Sequence, residues 1–87
     1  MADPLTLEQR VLRGKRAAAL LDDELMIEAG EQAEAAIVDR WKEERNPAQR
    51  EVLWCSLQSV HAVALWLIRN VDDGAIAKRQ LDQLNNP

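Results

Sequence analysis

The chain has 87 residues, a net charge of −4, three Gly, three Pro and a single cysteine, Cys55. That length supports one small core, so a single helical domain over 1–87 is expected and a bilobal enzyme is excluded, as are collagen-like and low-complexity chains. The acidic balance speaks against generic nucleic-acid binding, where clustered Lys and Arg supply the affinity, and a lone cysteine excludes an internal disulfide and fits a reducing compartment.

Tyr and Phe are absent and Thr occurs once, against 13 Ala, 12 Leu, 8 Glu, 8 Arg and 6 Gln. Residues that favour strands are scarce and residues that favour helices dominate, so the expected class is all-α. The first four residues, Met1-Ala2-Asp3-Pro4, lack the basic start and apolar run of a signal peptide. Asp3-Pro4 can open a helix as N-cap and N1, and Thr6 with Gln9 offers an alternative start as a capping box. The helical pattern then continues to Arg45 without proline. Gly14 lies in the basic stretch Arg10, Arg13, Lys15, Arg16 and marks a break or a frayed end. Gly30, beside Ala29 and Ala33, reads as a place for close helix approach.

Asn46-Pro47-Ala48-Gln49 is the clearest punctuation, with Asn46 as N-cap and Pro47 at N1. Proline also drives the residue before it out of the helical region. A second helix is expected from Pro47 to about Asn70, antiparallel to the first because the connection is short. Asp72-Asp73-Gly74 reads as a turn. A short third helix over Gly74–Leu84 follows, with Ile76, Ala77, Leu81 and Leu84 on one side, and Asn85-Asn86-Pro87 ends it.

The first helix carries an apolar seam of Met26, Ala29, Gly30, Ala33, Ile37 and Trp41, with Glu24, Glu28 and Glu31 on its outer face. The second repeats Leu53, Leu57, Val60, Ala64, Leu67 and Val71 in steps of four and three, a heptad-like seam. Trp54, Leu65 and Ile68 flank it on one side, and Val52, Val63 and Trp66 on the other. From Val52 to Ile68 only His61 can carry charge. A helix apolar nearly all round has to be buried nearly all round, and one hairpin cannot do that. Leu57 and Trp66 lie on different sides, so both are covered only if the helix meets a second partner. Self-association into a helical bundle is the expected remedy, with Leu53, Trp54, Leu57, Val60, Ala64, Leu65, Trp66 and Leu67 as interface. A membrane span over Val52–Ile68 is the weaker reading. It is short for a bilayer and holds Ser56, Gln58, Ser59 and His61 near its middle.

No constellation points to catalysis, a cofactor or a metal. Glu28-x-x-Glu31 has the spacing of helical metal sites, but a facing helix must complete such a site, and the second helix offers only Gln58-x-x-His61. The acidic residues therefore read as a solvated face. His61 lacks a local carboxylate and a positioned nucleophile, so it reads as an interior or interface histidine. Cys55 reads as a small apolar residue. Arg10, Arg13, Lys15 and Arg16 could contact nucleic acid or an acidic partner, or pair with Asp22, Asp23, Glu24, Asp72 or Asp73. No helix-turn-helix signature or Gly-rich phosphate loop accompanies them.

Ala19-Leu20-Leu21-Asp22-Asp23-Glu24-Leu25, Glu28-Ala29, Trp41, Arg50-Glu51-x-Leu53-Trp54 and Asp73-Gly74-x-x-Ala77-x-x-x-Leu81 together resemble small helical proteins encoded by tailed bacteriophages and prophages. The similarity runs from about Arg16 to Leu81, with Gly30 and Gln32 departing from it. It implies a role in phage assembly, no catalytic motif, and a place in the cytoplasm of a bacterial host or with the virion. The expectation is thus an antiparallel helical hairpin with a short third helix, completed by self-association. It would act without catalysis, through contacts with itself and with another phage or host protein. Binding to nucleic acid or to a membrane is not expected. The alternatives are a nucleic-acid-associated regulator using residues 10–16 and a small metal or nucleotide enzyme at an oligomer interface.

Overall fold

The computed structural model describes Leu5–Asn86. The Asp3-Pro4 helix start, the leader reading of residues 1–4 and the terminal Pro87 lie outside the described residues. The rest contains three α-helices and no strand: α1 (Leu7–Asp22), α2 (Glu24–Glu43) and α3 (Pro47–Asn85).

Each helix start follows from a side chain that satisfies free backbone donors. At α1 the capping box is closed both ways. Thr6 N–H donates to Gln9 Oε1 at 2.9 Å, and Gln9 N–H donates to Thr6 Oγ1 at 3.1 Å. At α2 the cap is Asp23, whose backbone is extended and whose carboxylate accepts from Met26 N–H at 2.9 Å. At α3, Asn46 Oδ1 accepts from the N–H groups of Ala48 (2.9 Å) and Gln49 (3.4 Å).

Two expected boundaries are corrected. The helix expected to run unbroken to Arg45 is divided at Asp23, because Asp is a poor interior residue and a strong N-cap, and a carboxylate there also suits the positive end of the helix dipole. The turn expected at Asp72-Asp73-Gly74 does not form. The short helix expected over Gly74–Leu84 is instead the last part of a 39-residue α3. Asp73 binds an arginine rather than capping, and Gly74 has no positive φ.

The chain divides into two compact units. One joins α1 as far as Leu21 with α3 from Trp66 onward; the other is Asp22–Leu65. In the first unit Gly14 and Gly74 meet backbone to backbone. A Cβ added at Gly14 would lie 2.9 Å from the Gly74 Cα and 3.0 Å from the Asn70 carbonyl oxygen. Gly14 is therefore neither a break nor a frayed end. It is a buried helical residue whose missing side chain lets two helix backbones touch. Ala17, Leu67 and Ala77 are buried with the two glycines.

The second unit packs more loosely. Leu53 is its one buried residue, and Ile37, Val38, Leu57 and Val60 are half-buried. Contacts step backwards along α2 as they step forwards along α3, from Trp41 with Arg50 to Glu34 with His61. Of the apolar seam expected on the first helix, only Ile37 is even partly covered; Met26, Ala29, Gly30, Ala33 and Trp41 are exposed. Among the described residues no second helix packs on Gly30, since a Cβ there would meet nothing within 4 Å. That reading is corrected: the gap left by a missing side chain matters only where a second backbone enters it, and none does here.

Candidate functional site

The basic segment begins on α1, and its first residue is already engaged. The Arg10 guanidinium grips Asp73 with two bonds, Nε to Oδ2 at 3.0 Å and Nη2 to Oδ1 at 2.6 Å. The hydrogen bond from Arg10 holds the Asp73 carboxyl below its ordinary range; partial desolvation opposes this, and the charges of Arg10 and Arg13 add to it. The same bond raises the Arg10 pKa. Pairing with Asp73, one of the two expectations for this cluster, is what Arg10 does. Arg13 and Arg16 line a shallow groove with Ala17, Leu20, Trp66, Leu67 and Asn70, and Lys15 is exposed.

His61 is not without a carboxylate. Its Nε2 lies 3.4 Å from Glu34 Oε2, and both side chains are about half exposed. The partner is missed in sequence because it lies 27 residues away on α2. Of the interior and interface alternatives expected for His61, this exposure corrects the interior one. Cys55 is exposed, as are Glu28, Glu31 and Gln58. Among the described residues no group of three or more His, Cys, Asp or Glu is placed to hold a metal ion.

Sequence reasoning gave Arg50 a place in the resemblance but no structural role. Its Nη1 donates to the carbonyls of Trp41 and Glu44, both at 2.8 Å, and the guanidinium lies 3.8 Å from the centroid of the Trp41 ring. One planar cation thus satisfies two carbonyls at the end of α2 and stacks on an aromatic face, which only Arg can do. The signal was present as Arg four residues after an N-cap Asn and nine after Trp, but nothing local says where such a side chain reaches.

What stands out in both units is apolar surface without cover. In the Asp22–Leu65 unit, Leu25, Met26, Ile27, Trp41, Val52, Trp54, Val63 and Leu65 are exposed. In the other, Leu12, Leu20, Trp66, Ile68, Ile76 and Leu84 are exposed. The eight residues expected at an interface fall into three groups. Leu53 and Leu67 are buried inside the chain. Leu57 and Val60 are half-buried, and Trp54, Ala64, Leu65 and Trp66 are exposed. The two tryptophans are open at 51% and 55%. By length and composition α3 could also cross a membrane, and little of its most apolar stretch is buried. Val38, Trp41, Leu53 and Trp54 are among the walls of a small apolar cleft between α2 and α3.

No protein-family model, no curated protein and no solved structure matches the chain.

Proposed function

We propose that this is a non-enzymatic helical protein that works through protein contacts, and that its first partner is a second copy of itself. The observation that carries the reading is the uncovered apolar side of α3 between Val52 and Ile68, where four large side chains are at least half exposed besides Val63. Soluble chains rarely leave such a surface open. The area agrees. The chain exposes 7156 Å², whereas a folded monomer of 9.8 kDa exposes about 5,200 Å². A second copy covering about 1,000 Å² on each chain would remove half of the difference and make an interface of obligate-dimer size.

Two antiparallel hairpins pairing through α3 would form a four-helix bundle. The resemblance of Arg50-Glu51-x-Leu53-Trp54 and Asp73-Gly74-x-x-Ala77 to small phage and prophage proteins supports a role in phage assembly, in the host cytoplasm or with the virion. With Arg10 committed to Asp73, the basic segment keeps Arg13, Lys15 and Arg16, which form no ion pair among the described residues. Three cations are few for a phosphate backbone, which favours protein contact over DNA.

Light scattering coupled to size exclusion tests the reading. The expected mass is a multiple of 9.8 kDa at micromolar concentration without detergent. Leu65→Glu should return it to one chain, because a charge buried in an interface is strongly unfavourable. A wild-type mass of one chain at every concentration would overturn self-association. Recovery from cells only in detergent would replace it with the membrane reading.

A further inference from the structure

Several side chains of α3, among them the exposed pairs Trp54 with Trp66 and Glu51 with Arg69, stand at equal distances from Val60. Reading away from Val60 in both directions, Leu57 is matched by Val63, Trp54 by Trp66, Leu53 by Leu67, Val52 by Ile68, and Glu51 by Arg69. The match is partial, since Gln58 stands against Ala62, Ser56 against Ala64 and Cys55 against Leu65, and at its ends the charges are opposite. All of it lies on one continuous helix.

Helix geometry turns this pattern into a surface. Val60 is half-buried, and Leu53 and Leu67, seven residues to either side, are 7% and 8% exposed. Leu53 is covered by α2 within one unit, and Leu67 lies beside α1 within the other. Glu51 and Arg69 stand nine residues from Val60, two and a half turns, so both project from the opposite side of α3. Trp54 and Trp66 stand six residues from it and flank that outward line by about 60° on either side. Glu51, Trp54, Trp66 and Arg69 are all exposed. Neither Glu51 nor Arg69 takes part in an ion pair among the described residues.

We infer that α3 pairs antiparallel with α3 of a second copy about a two-fold axis level with Val60, so that Glu51 of each chain meets Arg69 of the partner subunit. This rests on the self-association reading and adds its direction and register. A two-fold antiparallel pair brings residue 60 − n to the level of residue 60 + n of the other chain. Each tryptophan then packs at the level of a tryptophan from the opposite flank, which fills the groove without placing like against like at one point. The charges decide the direction. A parallel pair would set Glu51 beside Glu51 and Arg69 beside Arg69. The antiparallel pair makes two opposite-charge contacts, about 13 Å on either side of the axis.

A charge exchange and a thiol experiment test this together on the full chain. Glu51→Arg and Arg69→Glu alone should each weaken dimerisation about ten- to a hundredfold in sedimentation equilibrium, since each sets two like-charge contacts. The double variant in one chain should restore it to within about threefold of wild type, because both contacts become opposite in sign again. Cys55 supplies the second readout. In the proposed register the two native thiols lie about 15 Å apart along the axis, too far for a disulfide. Mild oxidation should therefore leave the wild type uncrosslinked, whereas Leu65→Cys, level with Cys55 of the partner subunit, should give a covalent dimer. A stable dimer in which the double exchange fails to recover, or in which native Cys55 crosslinks readily to itself, would overturn the register and leave self-association standing. A wild-type chain that stays monomeric would overturn both.

Discussion

The two units use the same kind of helix and close it by different means. Where α1 meets the distal part of α3, Gly14, Ala17, Gly74 and Ala77 clear space, the backbones come into contact, and Arg10 clamps Asp73 across the seam. Where α2 meets the proximal part of α3, larger residues occupy the seam, one leucine is buried, and Arg50 with Trp41 secures the end nearest the connection. Small residues give close approach with little apolar area; large ones give area only if something covers them. The first unit therefore closes on a small, tight seam, whereas the second buries a single leucine, and both leave large apolar side chains exposed.

The largest effect should come from adding one methyl group at each glycine. Gly14→Ala and Gly74→Ala place a Cβ within 3.0 Å of backbone atoms that cannot step aside, and each should cost about 1–3 kcal/mol despite the better helix propensity of alanine. Gly30→Ala meets nothing within 4 Å and should stabilise α2 by about 0.5–1 kcal/mol. Urea melts of the three variants check the opposite signs. Equal effects at Gly14 and Gly30 would remove the distinction between the units.

A smaller, local effect is expected at Arg50. Arg50→Lys keeps the charge but cannot serve both carbonyls and stack flat on Trp41. It should cost about 1–2 kcal/mol. Hydrogen exchange should speed up along α2 and the start of α3 while α1 keeps its protection. Faster exchange in α1 as well would mean that the units are energetically one.

The smallest effect is the pH dependence of the Arg10–Asp73 pair, which is partly exposed and so weak. The folded Asp73 pKa is depressed. Its contribution is therefore present above the ordinary aspartate value of about 4 and is lost as the pH falls through the lower folded value. Acid titration of exchange in α1 should show this loss in the wild type, and Asp73→Asn should remove that component of the titration. An unchanged acid profile in the variant would show that the glycine contact alone holds the unit.

Much of the local structure was legible. Thr6 with Gln9, and Asn46 with Pro47, announced two helix starts because capping is a matter of residues three apart. The helical class followed from composition. Asp23 was legible in principle, as the middle of the acidic triplet Asp22-Asp23-Glu24 between apolar stretches, but periodicity continued across it and masked the break. Asp72-Asp73-Gly74 misled in the opposite sense. Its residues have the chemistry of a turn, and they also have the chemistry of a salt-bridged helix crossing.

By itself the sequence determined that this chain is helical, that α3 begins at Asn46-Pro47, and that α3 carries more apolar surface than one chain covers, while for α1 it offered Thr6 with Gln9 as one of two starts. These depend on hydrogen bonds a few residues long and on the period of a helix. Only the tertiary structure decided which glycine matters, which aspartate pairs with Arg10, and which leucines are used inside the chain. Each of those outcomes depends on what lies opposite. Gly14 and Gly30 are alike in sequence terms, and they differ because Gly74, sixty residues beyond Gly14, brings its backbone to one and nothing comes to the other.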